Sequence, residues 1–403
     1  MPDLLAALER YGDQDVIFNE RGAVAAPEIR RRARAHLSKP SGMIRPDADD
    51  PVSVLVALLA GAAGDRPVLL STSAGEPAGL SGFEILLLTS GTSGRQKMAA
   101  HDLESLTGRI RSPATASTGA TWLLTYSATA FAGLQVLLTA ILTGGRLVTS
   151  TTRSIADLFR MAVTHGVTHA SATPTFWRGW MLASGGGAAQ PPLQQITIGG
   201  EAVDQTTLDR LAERYPAARI THIYASTEAG SLFAVNDRRA GFPASWLEQD
   251  VDGVRLRIAD GLLEVKSPRR MKAYRSQDAD PGAEDSWLRT GDLVERHGDR
   301  VLFCGRGDRI VNVGGYKVAP ERVERVLLEV PGVADVYVYP RANAITGNIL
   351  MADLLADQTA NRDAVVAAAQ AHAERTLAKH ERPARFTVVD ALQMADSGKK
   401  TRA

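Results

Sequence analysis

The sequence predicts an α/β protein. It reads as a large N-terminal domain of layered α/β subdomains with a β-rich subdomain, followed by a small α+β C-terminal domain. Three observations carry this. Strand-like and helix-like segments alternate from about residue 67 to 235, the pattern of mainly parallel sheets covered by helices. Between Gly241 and Arg300 the texture changes to short strands, with turns at Asp260-Gly261, Pro281-Gly282 and His297-Gly298. From Asp308 to the last residue, Ala403, the chain is long enough for an independent unit. The boundaries that follow are 1–307 for the large domain, with its β-rich part at about 241–304, and 308–403 for the small one.

Taken in order, residues 15–18 and 22–24 read as a small hairpin, and 27–37 as a helix with Pro27 in its first turn. The arginines of that helix, Arg30, Arg31, Arg32 and Arg34, read as a solvated face. An apolar helix at 52–63 leads into a strand at 67–70, and a buried strand is expected at 85–88. Strands at 121–124, 169–172 and 195–198 alternate with helices at 133–142, 155–164 and 206–214. The β-rich part holds strands at 254–258, 261–265 and 293–295. The last segment reads as a hairpin at 310–318, a helix at 320–328, strands at 333–339 and 349–355, a helix at 362–378 and a strand at 385–389.

Bulk composition narrows the function. A net charge of +1 over 403 residues gives no global pull toward nucleic acid or an anionic membrane. A single cysteine, Cys304, rules out an internal disulfide framework, fits a reducing compartment and reads as a small core residue. The uncharged stretch between Arg111 and Arg146 is broken by Gly119, Gly133 and Gly144 and is too rich in Thr and Ser for a good membrane span. Met1-Pro2-Asp3 opens no signal peptide. The expectation is a cytoplasmic protein with no membrane span and no nucleic-acid partner.

The most informative run is Leu88-Thr89-Ser90-Gly91-Thr92-Ser93-Gly94-Arg95-Gln96-Lys97. Gly91 and Gly94 permit backbone angles that turn N–H groups inward, and Thr89, Ser90, Thr92 and Ser93 add hydroxyl donors. Such a loop grips polyphosphate and delivers Lys97. It is not a P-loop, which needs Gly-Lys-Ser/Thr in succession. Further pieces follow: Gly199-Gly200-Glu201, Tyr224-Ala225-Ser226-Thr227-Glu228, Trp287 to Asp292, Gly305-Arg306-Gly307-Asp308, Gly314-Gly315-Tyr316-Lys317-Val318 and Ser397-Gly398-Lys399-Lys400-Thr401-Arg402. Glu228, at the end of a predicted strand, is the candidate magnesium ligand, because hard Mg²⁺ suits a carboxylate shared with phosphate oxygens. Tyr224 offers a flat face to adenine, and Gly199 and Gly200 leave room for a base.

In this order the pieces resemble the adenylate-forming superfamily of acyl- and aryl-CoA synthetases, peptide-synthetase adenylation domains and luciferases. The resemblance implies a β-barrel-like subdomain and a mobile C-terminal lid. It implies ATP-dependent, AMP-forming activation of a small carboxylic acid through an acyl-adenylate, followed by thioester formation with coenzyme A. Carrier-protein phosphopantetheine or an amine are the alternative acceptors, and a non-catalytic nucleotide-binding relative is the remaining alternative. Lys97 would serve the β- and γ-phosphates, Thr227 the α-phosphate, Asp292 the ribose, and Arg306 ribose or phosphate. Glu201, beside the glycine pair, would join the nucleotide site. Lys399 would enter from the small domain to bridge the carboxylate and the α-phosphate, while Lys400 beside it is structural. Asp308 is the implied hinge, and Gly314 and Gly315 would pass a pantetheine arm in a second domain orientation. The acyl pocket would draw on Phe131, Thr173, Pro174, Trp177 and Ala225 and is apolar. Three positions depart from the pattern: Gln96 and Met98 flank Lys97 in place of Pro and Gly, Ala225 replaces a glycine, and Ala130-Phe131 precedes Gly133-Leu134 where relatives carry His or an aromatic residue.

Overall fold

Apolar runs buried on both sides build most of the molecule. The computed structural model describes residues 3–38, 42–71, 74, 75, 77, 80, 82–90, 96–110, 119–184, 189–275, 286–392 and 400. An eight-stranded sheet runs, edge to edge, through Gly230–Val235, Arg219–Ser226, Gln195–Gly199, His169–Ala172, Thr121–Leu124, Arg146–Val148, Asp15–Asn19 and Gly22–Ala25. Its inner strands pair in parallel, and the two edge strands are antiparallel. Successive side chains serve opposite faces, so Leu124 and Leu147 join one core while Leu123 and Val148 join the other. Helices Pro51–Gly64 and Phe131–Leu142 supply the first core, and Ile155–Thr164, Pro174–Ala183 and Gln205–Arg214 the second. The expected 15–25 hairpin is thus the edge of a larger sheet, tied in by Ile17 opposite Leu147.

A second sheet is four-stranded, in the order Ala273–Tyr274, Gln96–His101, Ile85–Ser90 and Val68–Leu70. Leu69, Leu86 and Ala100 form its own small core. The β-rich part is a five-stranded antiparallel sheet: Phe242–Pro243, Arg300–Arg306, Leu288–His297, Leu262–Lys266 and Arg255–Ala259. Phe233, Phe242, Val265 and Val301 pack beneath it, and Cys304 is buried on its strand. The turn expected at Pro281-Gly282 lies outside the described residues.

The small domain has a separate core that begins at Val311. It contains the hairpin Val311–Val313 and Tyr316–Val318, the helices Pro320–Leu327 and Arg362–Thr376, and the sheet Val333–Asn343, Gly347–Ala356 and Arg385–Val389. Gly314 and Gly315 have φ of +60° and +90°, as a two-residue turn of this hand requires. Among the described residues no helix is long and apolar enough to cross a membrane.

Buried charge joins the two domains. Arg178, on the helix Pro174–Ala183, donates Nε–H to Asp335 at 2.9 Å and an Nη1–H to Asp204 at 3.0 Å. Its side chain is only 5% exposed. Lys400 is equally buried and sits 2.9 Å from Asp335 and 3.6 Å from Glu324. It also donates to the Val336 carbonyl. The structural role read for Lys400 is what these contacts describe. Replacing one member of such a network strands its partners without water. Arg178→Met is expected to lower the unfolding free energy by ~3–5 kcal/mol, measured by urea denaturation, and a loss under ~1 kcal/mol would contradict the network's role.

Candidate active site

The two ends of the glycine-rich run belong to a pair of strands. Ile85–Ser90 and Gln96–His101 pair antiparallel, with Thr89 opposite Lys97 and Ser90 opposite Gln96. Gly91, Thr92, Ser93 and Gly94 lie outside the described residues. Lys97 is therefore fixed on the return strand rather than carried in the loop. Strand alternation then puts Lys97, Ala99 and His101 on one face, while Met98 and Ala100 face the small core. Thr89 Oγ1 is buried and has no hydrogen-bond partner among the described residues. A buried hydroxyl left unpaired is costly, and an incoming phosphate oxygen would satisfy it.

Facing this hairpin is the turn after Arg219–Ser226. A β-bulge between Tyr224 and Ala225 ends regular pairing with Gly230–Val235. Ser226 Oγ accepts from the Ala229 N–H at 3.0 Å, and Gly230 closes the turn with φ of +75°. A Cβ on Gly230 would stand 2.2 Å from the Arg269 carbonyl oxygen, so backbone passes there that no side chain allows. The turn carries Thr227 and Glu228. The Met271 N–H donates to the Glu228 carbonyl at 2.9 Å.

Two residues that the sequence reading did not single out complete this region. Tyr274 is paired opposite Ala99. Its hydroxyl donates to Glu228 Oε1 at 3.4 Å, and Lys97 Nζ lies 5.2 Å from its ring centroid. It thus stands between the cation and the carboxylate, in contact with both. His101 is 1% exposed. Its Nε2 lies 2.7 Å from the Thr227 carbonyl and its Nδ1 3.0 Å from Ser105 Oγ. Burial, above all, pushes its pKa down to about 4.

The nucleotide candidates divide into two groups. Tyr224 donates its hydroxyl to Asp292 Oδ2. Its ring packs 5.3 Å from Phe233 and 4.7 Å from Phe303. Burial and the Asp292 carboxylate push the phenol well above its ordinary range. Arg306 lies 3.5 Å from Asp292 and 3.4 Å from Asp308. Its Nη1–H also donates to the Thr290 carbonyl at 3.1 Å. One chain of contacts therefore runs from the proposed base platform to the hinge position in Gly307–Arg309. Gly199 ends its strand beside Ile223, and Gly200 turns away with φ of +83°.

Other expected positions have structural duties instead. Glu201 Oε2 accepts from the Thr175 backbone N–H at 3.1 Å and from its hydroxyl at 2.7 Å. It thereby serves the N-terminal turn of the helix Pro174–Ala183, where a carboxylate is favoured. Thr173 is fully buried and caps that helix through the Phe176 N–H at 3.0 Å. Trp177 is fully buried and donates to the Thr197 carbonyl at 3.1 Å. Pro174 is buried in the same helix turn. These side chains are taken up by the helix cap and the core contacts of the large domain. Phe131 and Ala225 do share one apolar cluster at the site, and the Phe131 ring lies 6.0 Å from that of His101. Gly314 and Gly315 satisfy a turn, since the Gly315 N–H donates to Asn312 Oδ1 at 2.8 Å. Lys399 lies outside the described residues.

Lys97 on a hairpin of one sheet, Thr227 and Glu228 on a turn beyond a strand of another, and a small domain tied to the large one by buried charge make up the arrangement. The chain belongs to the AMP-binding enzyme family, which it matches over residues 34–270, with the family's C-terminal domain at 322–399. It is 27% identical over 330 residues to a probable 2-succinylbenzoate–CoA ligase of Mycobacterium tuberculosis, covering 79% of this chain and 82% of that protein. A match of 30% over 180 residues to the 4-coumarate–CoA ligase-like 2 of Arabidopsis thaliana covers 40% of this chain and 31% of that protein. A medium/long-chain fatty acid–[acyl-carrier-protein] ligase of M. tuberculosis is 27% identical over 70% of this chain and 58% of its own length. The fold matches the anthranilate CoA ligase AuaEII in complex with anthranoyl-AMP, with a TM-score of 0.80 at 15% identity over 99% of this chain and 95% of that one.

Two outcomes follow from this geometry. His101 is neutral when folded, and its unfolded counterpart takes a proton near pH 6.5. Stability is therefore complete above that pH and is lost as pH falls toward the folded value of about 4. The loss from this group should approach ~3 kcal/mol at the acid end. Denaturant midpoints of the wild type between pH 4 and 7 should slope more steeply than those of His101→Gln, and equal slopes would refute the assignment. A Cβ on Gly133 would stand 1.9 Å from the Ser127 carbonyl oxygen. Gly133→Ala should therefore push the start of the Phe131 helix outward and cost ~1–3 kcal/mol in thermal unfolding.

Proposed function

We propose that the protein joins a small carboxylic acid with an apolar body to coenzyme A. A carboxylate oxygen attacks the α-phosphorus of ATP, the bond to the β-phosphate oxygen breaks, and pyrophosphate leaves. The thiol sulfur then attacks the acyl carbon of the adenylate, AMP leaves, and the thiol proton passes to solvent. The observation that carries this reading is that Lys97 on one sheet and the Thr227–Glu228 turn beyond another are linked, through Tyr274 to Glu228 and through His101 to Thr227, with the buried Thr89 hydroxyl, unpaired among the described residues, on the residue opposite Lys97. The attacking and attacked groups are both anionic, so aligned donors and cations lower the barrier.

Glu228 fits a magnesium ion, which takes one or two carboxylates and completes its shell with phosphate oxygens and water. No cation among the described residues pairs with it, and no cluster of three or more acidic, His or Cys ligands competes for the metal there. Bound magnesium would neutralise charge on the phosphates. Lys97 orients the outer phosphates, Thr227 meets the α-phosphate, and Asp292 with Arg306 receives the ribose. Lys399 would enter from the small domain; its neighbour Lys400 sits between Asp335 and Glu324. Phe131 and Ala225 supply the apolar wall for the acid. Transfer to a carrier protein is the second reading, favoured by the acyl-carrier-protein ligase among the relatives. AMP release that needs a carrier protein and not coenzyme A would decide for it.

Acid-dependent exchange of pyrophosphate into ATP, run over aryl, dicarboxylic and straight-chain acids, tests the reading, and no exchange with any of them would end it. Lys399→Ala should suppress that exchange about 100-fold and leave thioester formation from supplied acyl-adenylate nearly intact. Equal loss in both assays would remove Lys399 from the assigned role.

A further inference from the structure

We propose that His101 is a positioning residue that locks the Thr227–Glu228 turn to the phosphate hairpin, and so sets where magnesium is held. This rests on the reading of Glu228 as the metal carboxylate. The two sides of the site belong to different sheets, with Lys97 on the four-stranded one and Thr227 beyond a strand of the eight-stranded one. Nothing in the pairing within either sheet fixes the distance between them. Residues 271–274 tie Glu228 to the hairpin, through Met271 N–H to the Glu228 carbonyl, Lys272 N–H to the Ala100 carbonyl and the Tyr274 hydroxyl, and His101 adds the tie to Thr227. The histidine lies four residues after Lys97 on the same face of the same strand, and its Nε2 reaches the Thr227 carbonyl at 2.7 Å.

The partners define the tautomer. A carbonyl only accepts, so Nε2 carries the proton. Nδ1 then accepts from the Ser105 hydroxyl at 3.0 Å. Ser105 is itself placed by the turn at Asp102, whose carboxylate accepts from the Ser105 N–H at 2.7 Å. The ring has no freedom to swing, because it is 1% exposed and rests against Phe131 at 6.0 Å. Its donor is therefore aimed at one backbone atom, next to the carboxylate on which the metal depends. Shifting a ligand by as little as ~1 Å is enough to cost about 100-fold in function.

Asn and Gln separate the two nitrogens of the ring. An asparagine amide in place of the His101 ring would occupy the position of Nδ1 and stop short of Thr227, whereas a glutamine amide extends to the position of Nε2. Titration of ATP in magnesium and again in EDTA, by calorimetry, reads the gain in affinity that magnesium brings. In His101→Asn this gain should fall about tenfold, with ATP affinity in EDTA unchanged. In His101→Gln the gain should stay near the wild-type value. The proposal is overturned if Asn keeps the gain, if Gln loses it as Asn does, or if Asn weakens ATP equally in EDTA, which signals general damage to the fold. Wild-type protein that binds no ATP in either buffer would instead sink the functional reading beneath it.

Discussion

A guanidinium taken out of water must be met by anions, and Arg178 meets two from different parts of the chain. Asp204 caps the helix Gln205–Arg214 of the large domain, and Asp335 starts the central strand pair of the small one. The relative placement of the two domains depends on that shared cation. Further contacts lie around it: Arg210 donates to the Val333 carbonyl at 3.0 Å, and Gln358 to the Leu182 carbonyl at 3.3 Å. None of these is buried as deeply. The helix bearing Arg178 also carries Trp177 and Trp180, both fully buried, so its position is dictated by the core of the large domain. The arginine thus transmits a rigid reference frame outward to the lid.

The same logic governs the site. Charge has to be assembled at one place from elements that do not pair with one another. Each contributor is held by a neighbour of the opposite character: Lys97 by the face of Tyr274, Glu228 by the hydroxyl of that tyrosine, and Asp292 by Tyr224 and Arg306. Aromatic rings make suitable spacers here. They attract a cation and donate to an anion without neutralising either, so both charges stay available to the polyphosphate and metal proposed above.

Much of this was legible in the residues alone. The alternation of elements, the β-rich stretch and the α+β end each emerged where expected, because long periodic segments bury a face in any context. The final strand spans Arg385–Val389 as read, and the helix read at 320–328 is Pro320–Leu327. What the pattern did not disclose was tertiary. The sequence has Lys97 following a loop, whereas the fold puts it on a strand, because residues 96–101 find a partner in residues 85–90. Trp177 and Thr173 follow a strand end that suggests a pocket, yet a helix cap and a deep core contact take both side chains. Glu201 adjoins the glycine pair but is claimed by the helix above it. His101 did leave a trace: Lys97, Ala99 and His101 share the alternation of a strand, which places a histidine in line with the lysine. The contact with Thr227 is 126 residues away in sequence, so no local signal could specify it.

The composition of the buried charge cluster bears on what parting the two domains would cost. Were the domains to part, Arg178 would depart with Asp204, and Lys400 with Asp335 and Glu324. The Arg178–Asp335 pair would break, but each new face would still carry a cation matched to an anion. The resistance to opening would come mainly from readmitting water to a dry seam, and added salt would have little leverage on it. A domain seated this way is held firmly and is still indifferent to the ionic composition of its surroundings.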